Sequence, residues 1–299
     1  MKSRYQGVIF IIISAFFFAL MNLFVKLSGD LPTMQKAFFR NAVAALVALV
    51  LLLRDPKQFK TVKGNWLWLI IRAVAGTVGV VLNFYAIDRI GIADASMLNK
   101  LSPFFAIVFS FFLLKEKPKL IEWIAVLVAF AGSVFVVRPT LGVEVIPALC
   151  GLVGGMMAGL AYAFVRKATQ NGASRNLVIF FFSAFSSLVL LPFLIAGYKP
   201  MEWWQLLFLL LSGLSAAGGQ VFITLAYSKA PAKEISVFDY SIVIFTAILG
   251  VIFLNEIPEL FSYIGYGIII TAAIIIWIYH LRRDKKVKEL KETEKKSKE

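Results

Sequence analysis

One cysteine, Cys150, and one histidine, His280, are all that a chain of 299 residues contains of either type. A lone thiol excludes a disulfide framework within the chain and any cysteine cluster for metal. A lone imidazole, standing at the start of a basic tail, leaves histidine-dependent catalysis and His-rich metal sites without support. HExxH, Walker-type and DxD-type sequences are also missing, so no cofactor or metal is expected and the chain has no ATP-binding motif of its own. Charge is sparse: charged residues make up 16% of the chain and hydrophobic residues 60%, with 28 Phe among them. That much apolar surface exceeds what a soluble fold of this length hides, and it places the chain in a lipid bilayer.

A bilayer core about 30 Å thick needs roughly 20 apolar residues per helix. On that ruler ten spans are expected, near 6–27, 34–53, 65–86, 94–114, 119–138, 146–166, 176–196, 203–228, 234–254 and 259–280. Short connections leave no room for an inserted soluble domain. The first span is longer than a signal-peptide core and lacks a clear small-residue cleavage site, so it reads as retained. With a cytoplasmic N-terminus, 23 Lys and Arg fall on the inner side, nine of them in the tail, against Lys36, Arg89, Arg138 and Lys199 outside. The positive-inside bias therefore puts both termini in the cytoplasm of a multi-pass protein of the plasma or inner membrane. The net charge of +14 is dominated by that tail and points to anionic lipid headgroups, with no nucleic-acid partner.

Leu113–Leu120 reads LLKEKPKL and Phe253–Leu260 reads FLNEIPEL, 140 residues later. The same offset, without a gap, pairs Phe24-Val25-Lys26 with Phe164-Val165-Arg166, Gly79 with Gly219, Ala86 with Ala226, Ser96 with Ser236 and Phe105 with Phe245. The chain is thus read as a first five-helix repeat over 1–140, a second over 141–281 and a basic cytoplasmic tail over 282–299. Five is odd, so the second repeat enters the membrane from the opposite side. Lys115, Lys117 and Lys119 survive only in the copy whose turn faces the cytoplasm, while Asn255, Ile257 and Glu259 replace them in the other. Pro118 and Pro258 suit a helix's first turn, and Glu116 and Glu256 are read as ties for that turn. Inverted repeats place a substrate site near the midplane, and rocking about it gives alternating access.

Two such repeats, each closing on a segment like SPFFAIVFSFFLLKEKPKLIEWIAVLVAFAGSVFVV (102–137), with an acidic residue ending the fourth helix and a glycine in the fifth, resemble the EamA branch of the drug/metabolite transporter superfamily. The resemblance covers about residues 7–280 and implies an all-α integral membrane fold of ten helices in two inverted repeats. In the second copy Ile242-Val243 replaces Ser102-Pro103, although Glu256, Pro258 and Gly267 remain in comparable places. The resemblance implies transport of a small molecule and leaves the cargo open.

Charge in hydrocarbon costs about 2.5–3.5 kcal/mol on insertion scales, so each intramembrane charge needs a wet cavity, a partner or an exit to the interface. Lys100 lies in MLNKLSPFF, where Pro103 deprives the Asn99 carbonyl of its helical donor and predicts a bend. Lys100 either snorkels outward or faces a cavity. Its repeat mate is Tyr240, and that of Asn99 is Asp239. The resemblance implies that the fourth and ninth helices line the central cavity, and these four residues with them. Asp239 then neutralises Lys100, binds a substrate amine or carries a coupling proton, three roles left open. Arg40 and Arg72 are shallow enough to snorkel, or they grip a carboxylate or phosphate with paired hydrogen bonds. Lys26, at the end of the first helix, reads as an interfacial anchor. Asn22, Asn83, Tyr85, Tyr162 and Gln220 are uncharged donors and acceptors at cavity depth. Each alone reads more simply as a helix–helix contact, and together they suggest a polar pocket. The glycines at 151, 155 and 159, and at 76, 79, 218 and 219, read as close-packing positions. The six tryptophans near span ends read as interfacial belts.

The leading expectation is a non-enzymatic secondary transporter. Because intramembrane bases outnumber acids, its cargo is expected to be a small anionic or zwitterionic metabolite such as an amino acid or carboxylated metabolite. Two alternatives stand beside it: an exporter of cationic or aromatic drugs, with Asp239 as cation ligand, and a membrane-embedded transferase. Neither a coupling ion nor a direction of transport can be read from the residues.

Overall fold

The computed structural model describes residues 2–55, 58, 65–114, 118–137, 145–229 and 236–296. Its helices are α1 (Lys2–Leu27), α2 (Thr33–Leu53), α3 (Trp66–Ile90), α4 (Ile92–Asn99), α5 (Ser102–Leu114), α6 (Leu120–Val137), α7 (Val145–Gln170), α8 (Arg175–Ala196), α9 (Trp203–Lys229), α10 (Ser241–Leu254) and α11 (Leu260–Lys296), with a 3₁₀ turn at Ser236–Tyr240 before α10. Among the described residues nine segments are long and apolar enough to cross a membrane, and Leu120–Val136 is a shorter apolar helix. The expected spans therefore all appear as helices, with α4 and α5 sharing the fourth.

Side-chain polarity alone does not order ten apolar rods, since lipid is as apolar as leucine; close packing at small residues does. At one crossing a side chain built on Gly79 of α3 would meet the Gly154 carbonyl at 3.2 Å. At the repeat-related crossing Ser14 of α1 donates to the Gly219 carbonyl of α9 at 2.7 Å. Position 154 is 140 residues from 14, and 219 is 140 from 79, so one contact is the image of the other. The same exchange holds for whole helices. α1 packs along α9 as α3 packs along α7, while α2 meets α8, α4 meets α10 and α6 meets α11, each pair being repeat mates. Two inverted five-helix repeats thus fold around a pseudo-two-fold axis.

Both repeats break at the same place. In the first, α4 stops at Asn99 and α5 starts at Ser102, so the bend expected from Pro103 is present. There the Lys100 amide still bonds to Ser96, but the Leu101 amide shifts to Leu98 at 3.2 Å, a tighter turn. In the second, the 3₁₀ turn ends at Tyr240, the mate of Lys100. Glycines on α7 let that helix approach the first break. A side chain on Gly155 would lie 2.4 Å from the Leu98 carbonyl, and one on Gly159 would lie 2.7 Å from the Ser102 carbonyl.

The two ends of the bundle differ. Where α3 meets α4, Gly91 turns the chain at φ 89°, and its missing side chain leaves room for Glu256, whose carboxylate would otherwise be 2.9 Å from a Cβ. Glu256 accepts from the Ile92 amide at 2.9 Å and pairs with Lys26 at 3.0 Å. Lys26 also donates to the carbonyls of Ile87 and Asp88, both at 2.9 Å. Thus Lys26 is a cross-repeat strut rather than an interfacial anchor, and Glu256 ties more than its own turn. Lys36, expected on the outer side, is buried and pairs with Asp88 at 2.7 Å. Gln35 and Lys199 exchange two hydrogen bonds of 3.0 Å, and Gln205 donates to Ser28 at 3.0 Å. At the opposite end Asn176 donates to Gln58 at 2.7 Å, and His280 meets Glu122 at 2.7 Å. Lys115, Glu116 and Lys117 lie outside the described residues.

Candidate substrate site

Between the halves, at the level of the two helix breaks, lies a space of about 120 Å³. Asn22, Asn83, Ser96, Asn99, Lys100 and Tyr162 supply its polar wall. It adjoins a second space of about 220 Å³ between α2, α8 and α9, and both share Arg40, Arg72, Phe182 and Gln220.

The two arginines enter from different helices and converge on one ring. The Arg72 guanidinium carbon sits 3.9 Å from the Phe182 ring centre, within cation–π range, and that of Arg40 sits 5.8 Å away. Gly76, one turn on from Arg72, makes this possible: a Cβ there would come within 2.2 Å of Arg72 Nη1 and 2.7 Å of Phe182. Arg40 is steadied by its neighbour, donating from Nη1 to Asn41 Oδ1 at 2.6 Å, while Asn41 donates to Ser186 at 2.9 Å.

Both arginines are buried, yet Arg40 Nε and Arg72 Nε and Nη1 have no hydrogen-bond partner. Among the described residues neither forms an ion pair, and the ionisable groups acting on Arg72 are the Tyr162 phenol and Arg40 itself. Two like charges held together away from water are costly unless something anionic joins them. The bases elsewhere in the bundle contrast with them, since Lys26, Lys36 and Lys100 each have a carboxylate.

Lys100 reaches across the repeats to Asp239, and the Tyr240 hydroxyl donates to the Lys100 carbonyl at 3.0 Å. Of Asp239's two oxygens, Oδ1 is buried without a partner. Of its three roles left open, neutralising Lys100 is the one this geometry displays. Asn22 donates to Ser96 at 2.9 Å, leaving its own carbonyl oxygen and that of Asn83 unpartnered at the cavity wall. Tyr162 and Gln220 line the same wall.

Three candidates stand apart from the cavity lining, Asp239 behind Lys100 and two tyrosines. Tyr85 lies under the Arg89 guanidinium, 3.7 Å from its ring centre, near the Gly91 end. Tyr240 is packed in the apolar core and does its bonding to backbone. Three residues that matter were not singled out in the sequence: Phe182, Asn41 and Ser96. Phe182 is one of 28 Phe and carries no local mark. Asn41, next to Arg40 in a span, and Ser96, paired with Ser236, did carry a signal.

The profile of the EamA-like transporter family matches residues 5–138 and again 145–278. The chain belongs to the EamA-like transporter family. Among its relatives, the pseudopaline exporter of Pseudomonas aeruginosa is 32% identical over 277 residues, covering 91% of this chain and 95% of that one. Human solute carrier family 35 member G1 is 30% identical over 271 residues, covering 84% and 73%. The riboflavin transporter of Rhizobium johnstonii is 24% identical, covering 94% and 93%. A solved crystal structure at 16% identity superposes with a TM-score of 0.65 over 91% of this chain and 97% of its own, a likeness of fold. This EamA-type chain is therefore a multi-pass membrane transporter and not an enzyme, which removes the transferase reading.

Proposed function

We propose that this transporter moves a small anionic or zwitterionic metabolite, such as an amino acid or another carboxylated compound, by alternating access. The observation that carries the reading is the pair of buried guanidiniums at Arg40 and Arg72, with unpartnered N–H groups and no carboxylate among the described residues. A substrate carboxylate between them supplies the missing charge, and charge-assisted hydrogen bonds to arginine are strong and directional. Lys100 is already neutralised by Asp239, so the cavity offers its net positive charge at the arginines, and the unpartnered carbonyl oxygens of Asn22 and Asn83 are compatible with an amine. In this reading the Lys26–Glu256 pair closes the cavity off from a third, open space of about 620 Å³ at the Gly91 end, while the 220 Å³ space extends past Leu51 and Leu225 toward the other end. This is the arrangement expected of one end-state of rocking repeats.

Basic residues crowd the end opposite Gly91, which makes that end cytoplasmic by the positive-inside rule. In this reading the closed mouth faces outward, the protein sits in the plasma or inner membrane, and both termini are cytoplasmic. The full chain in liposomes should take up labelled amino acids or simple carboxylates in counterflow and ignore quaternary organic cations. Uptake of the cations alone would overturn the reading and favour drug export through Asp239.

A further inference from the structure

The two spaces that meet at Arg40, Arg72 and Phe182 are chemically unlike. The smaller mixes the amides of Asn22, Asn83 and Asn99, two hydroxyls and Lys100 with apolar side chains such as Phe18, Phe84 and Ile223, and gathers most of the polar groups. The larger is mostly aliphatic, built from Ala44, Ala48, Leu51, Ile179, Val221 and Leu225. Its amide at Asn176 is engaged at the rim by Gln58, at 2.7 Å. A fully polar cargo, a short dicarboxylate for instance, would fill the first space and leave the second lined by unmatched apolar surface. The unpartnered guanidinium N–H groups stand at the junction, where a head and a tail would separate.

We propose that the substrate is an amphiphilic carboxylate, with its anionic head between Arg40 and Arg72 and an aliphatic or aromatic side chain in the larger space. This deepens the anion reading above and rests on it. Polar substituents next to the carboxylate, an amine among them, face the unpartnered carbonyl oxygens of Asn22 and Asn83, and the far end of the molecule is apolar. The aliphatic chamber thus sets selectivity by length and polarity, and the arginines set it by charge.

Thermal shift and competition in counterflow, both on the full chain, test this with straight-chain carboxylates from acetate to hexanoate and with glutarate. The same series on Arg72→Met subtracts partitioning into detergent or lipid. The expected result is an apparent Kd that falls roughly fourfold for each methylene buried, and glutarate weaker than pentanoate by tenfold or more. Ala48→Phe, which fills the chamber, should flatten the length dependence. Arg72-dependent binding with no gain along the series, or with glutarate preferred, overturns the amphiphile and leaves the anion reading standing. No binding of any carboxylate removes both. The comparison of pentanoate with glutarate uses the unaltered protein, so it decides the matter even if Ala48→Phe does not fold.

Discussion

The Gly91 end of the bundle and its centre hold the same kind of residue in opposite conditions. At the Gly91 end Lys26 and Lys36 are buried or half-buried, and each is matched by Glu256 or Asp88 and, for Lys26, by backbone carbonyls. At the centre Arg40 and Arg72 are equally deep and unmatched. Removing one member of a buried pair strands the other, whereas removing an unpaired charge relieves a desolvation cost. The first region is therefore organised for stability of one conformation, and in the function proposed above the second holds stability in reserve for a ligand. A helix bundle in lipid tolerates the second only because a cavity and the Phe182 face temper the charges.

The contrast can be broken most forcefully at Lys36. Lys36→Met leaves the half-buried Asp88 without its closest cation and should destabilise the protein by about 2 kcal/mol. Thermal unfolding in detergent reads this, and Lys36→Met with Asp88→Asn should regain most of the loss. Arg72→Met should do the reverse, weakening carboxylate binding by roughly a hundredfold, as expected for losing charge-assisted hydrogen bonds, while the melting temperature of the ligand-free protein holds or rises. A fall in Tm as large as that of Lys36→Met would show that Arg72 is structural. Gly76→Ala sharpens the comparison, because the new methyl displaces the end of the Arg72 side chain and the Phe182 ring rather than backbone. Affinity should drop about tenfold, the loss of roughly one such hydrogen bond, with the fold intact by circular dichroism. Tyr85→Phe should change neither transport nor stability by more than about 0.5 kcal/mol, since its ring contact with Arg89 is retained and lies away from the cavity. A clear loss of uptake there would extend the site toward the Gly91 end.

How much of this was legible in the residues varies with the range of the interaction. The break at Lys100 could be foreseen from Pro103, because the loss of an amide donor acts within one turn. The glycines of α7 could be read as close-approach positions, because spacing along one face is local. The partner of Lys100 could be framed as a question from the offset of 140, which brought Asp239 and Tyr240 into view. The direction of the arginines was not legible. Arg40 and Arg72 are near enough to opposite interfaces to snorkel, and only the packing of α2, α3 and α8 turns both inward onto Phe182. Tyr85 and Tyr240 show the converse, since candidates at cavity depth were turned to Arg89 and to the Lys100 backbone.

The sequence by itself determined the class of molecule. Apolar run length and a constant repeat offset require ten helices in two opposed sets, because the bilayer's thickness and the odd helix number leave no other solution. Only the tertiary structure decided which buried charges are satisfied. A helix position states how deep a side chain begins, and whether a carboxylate waits for it depends on neighbours contributed by the other repeat.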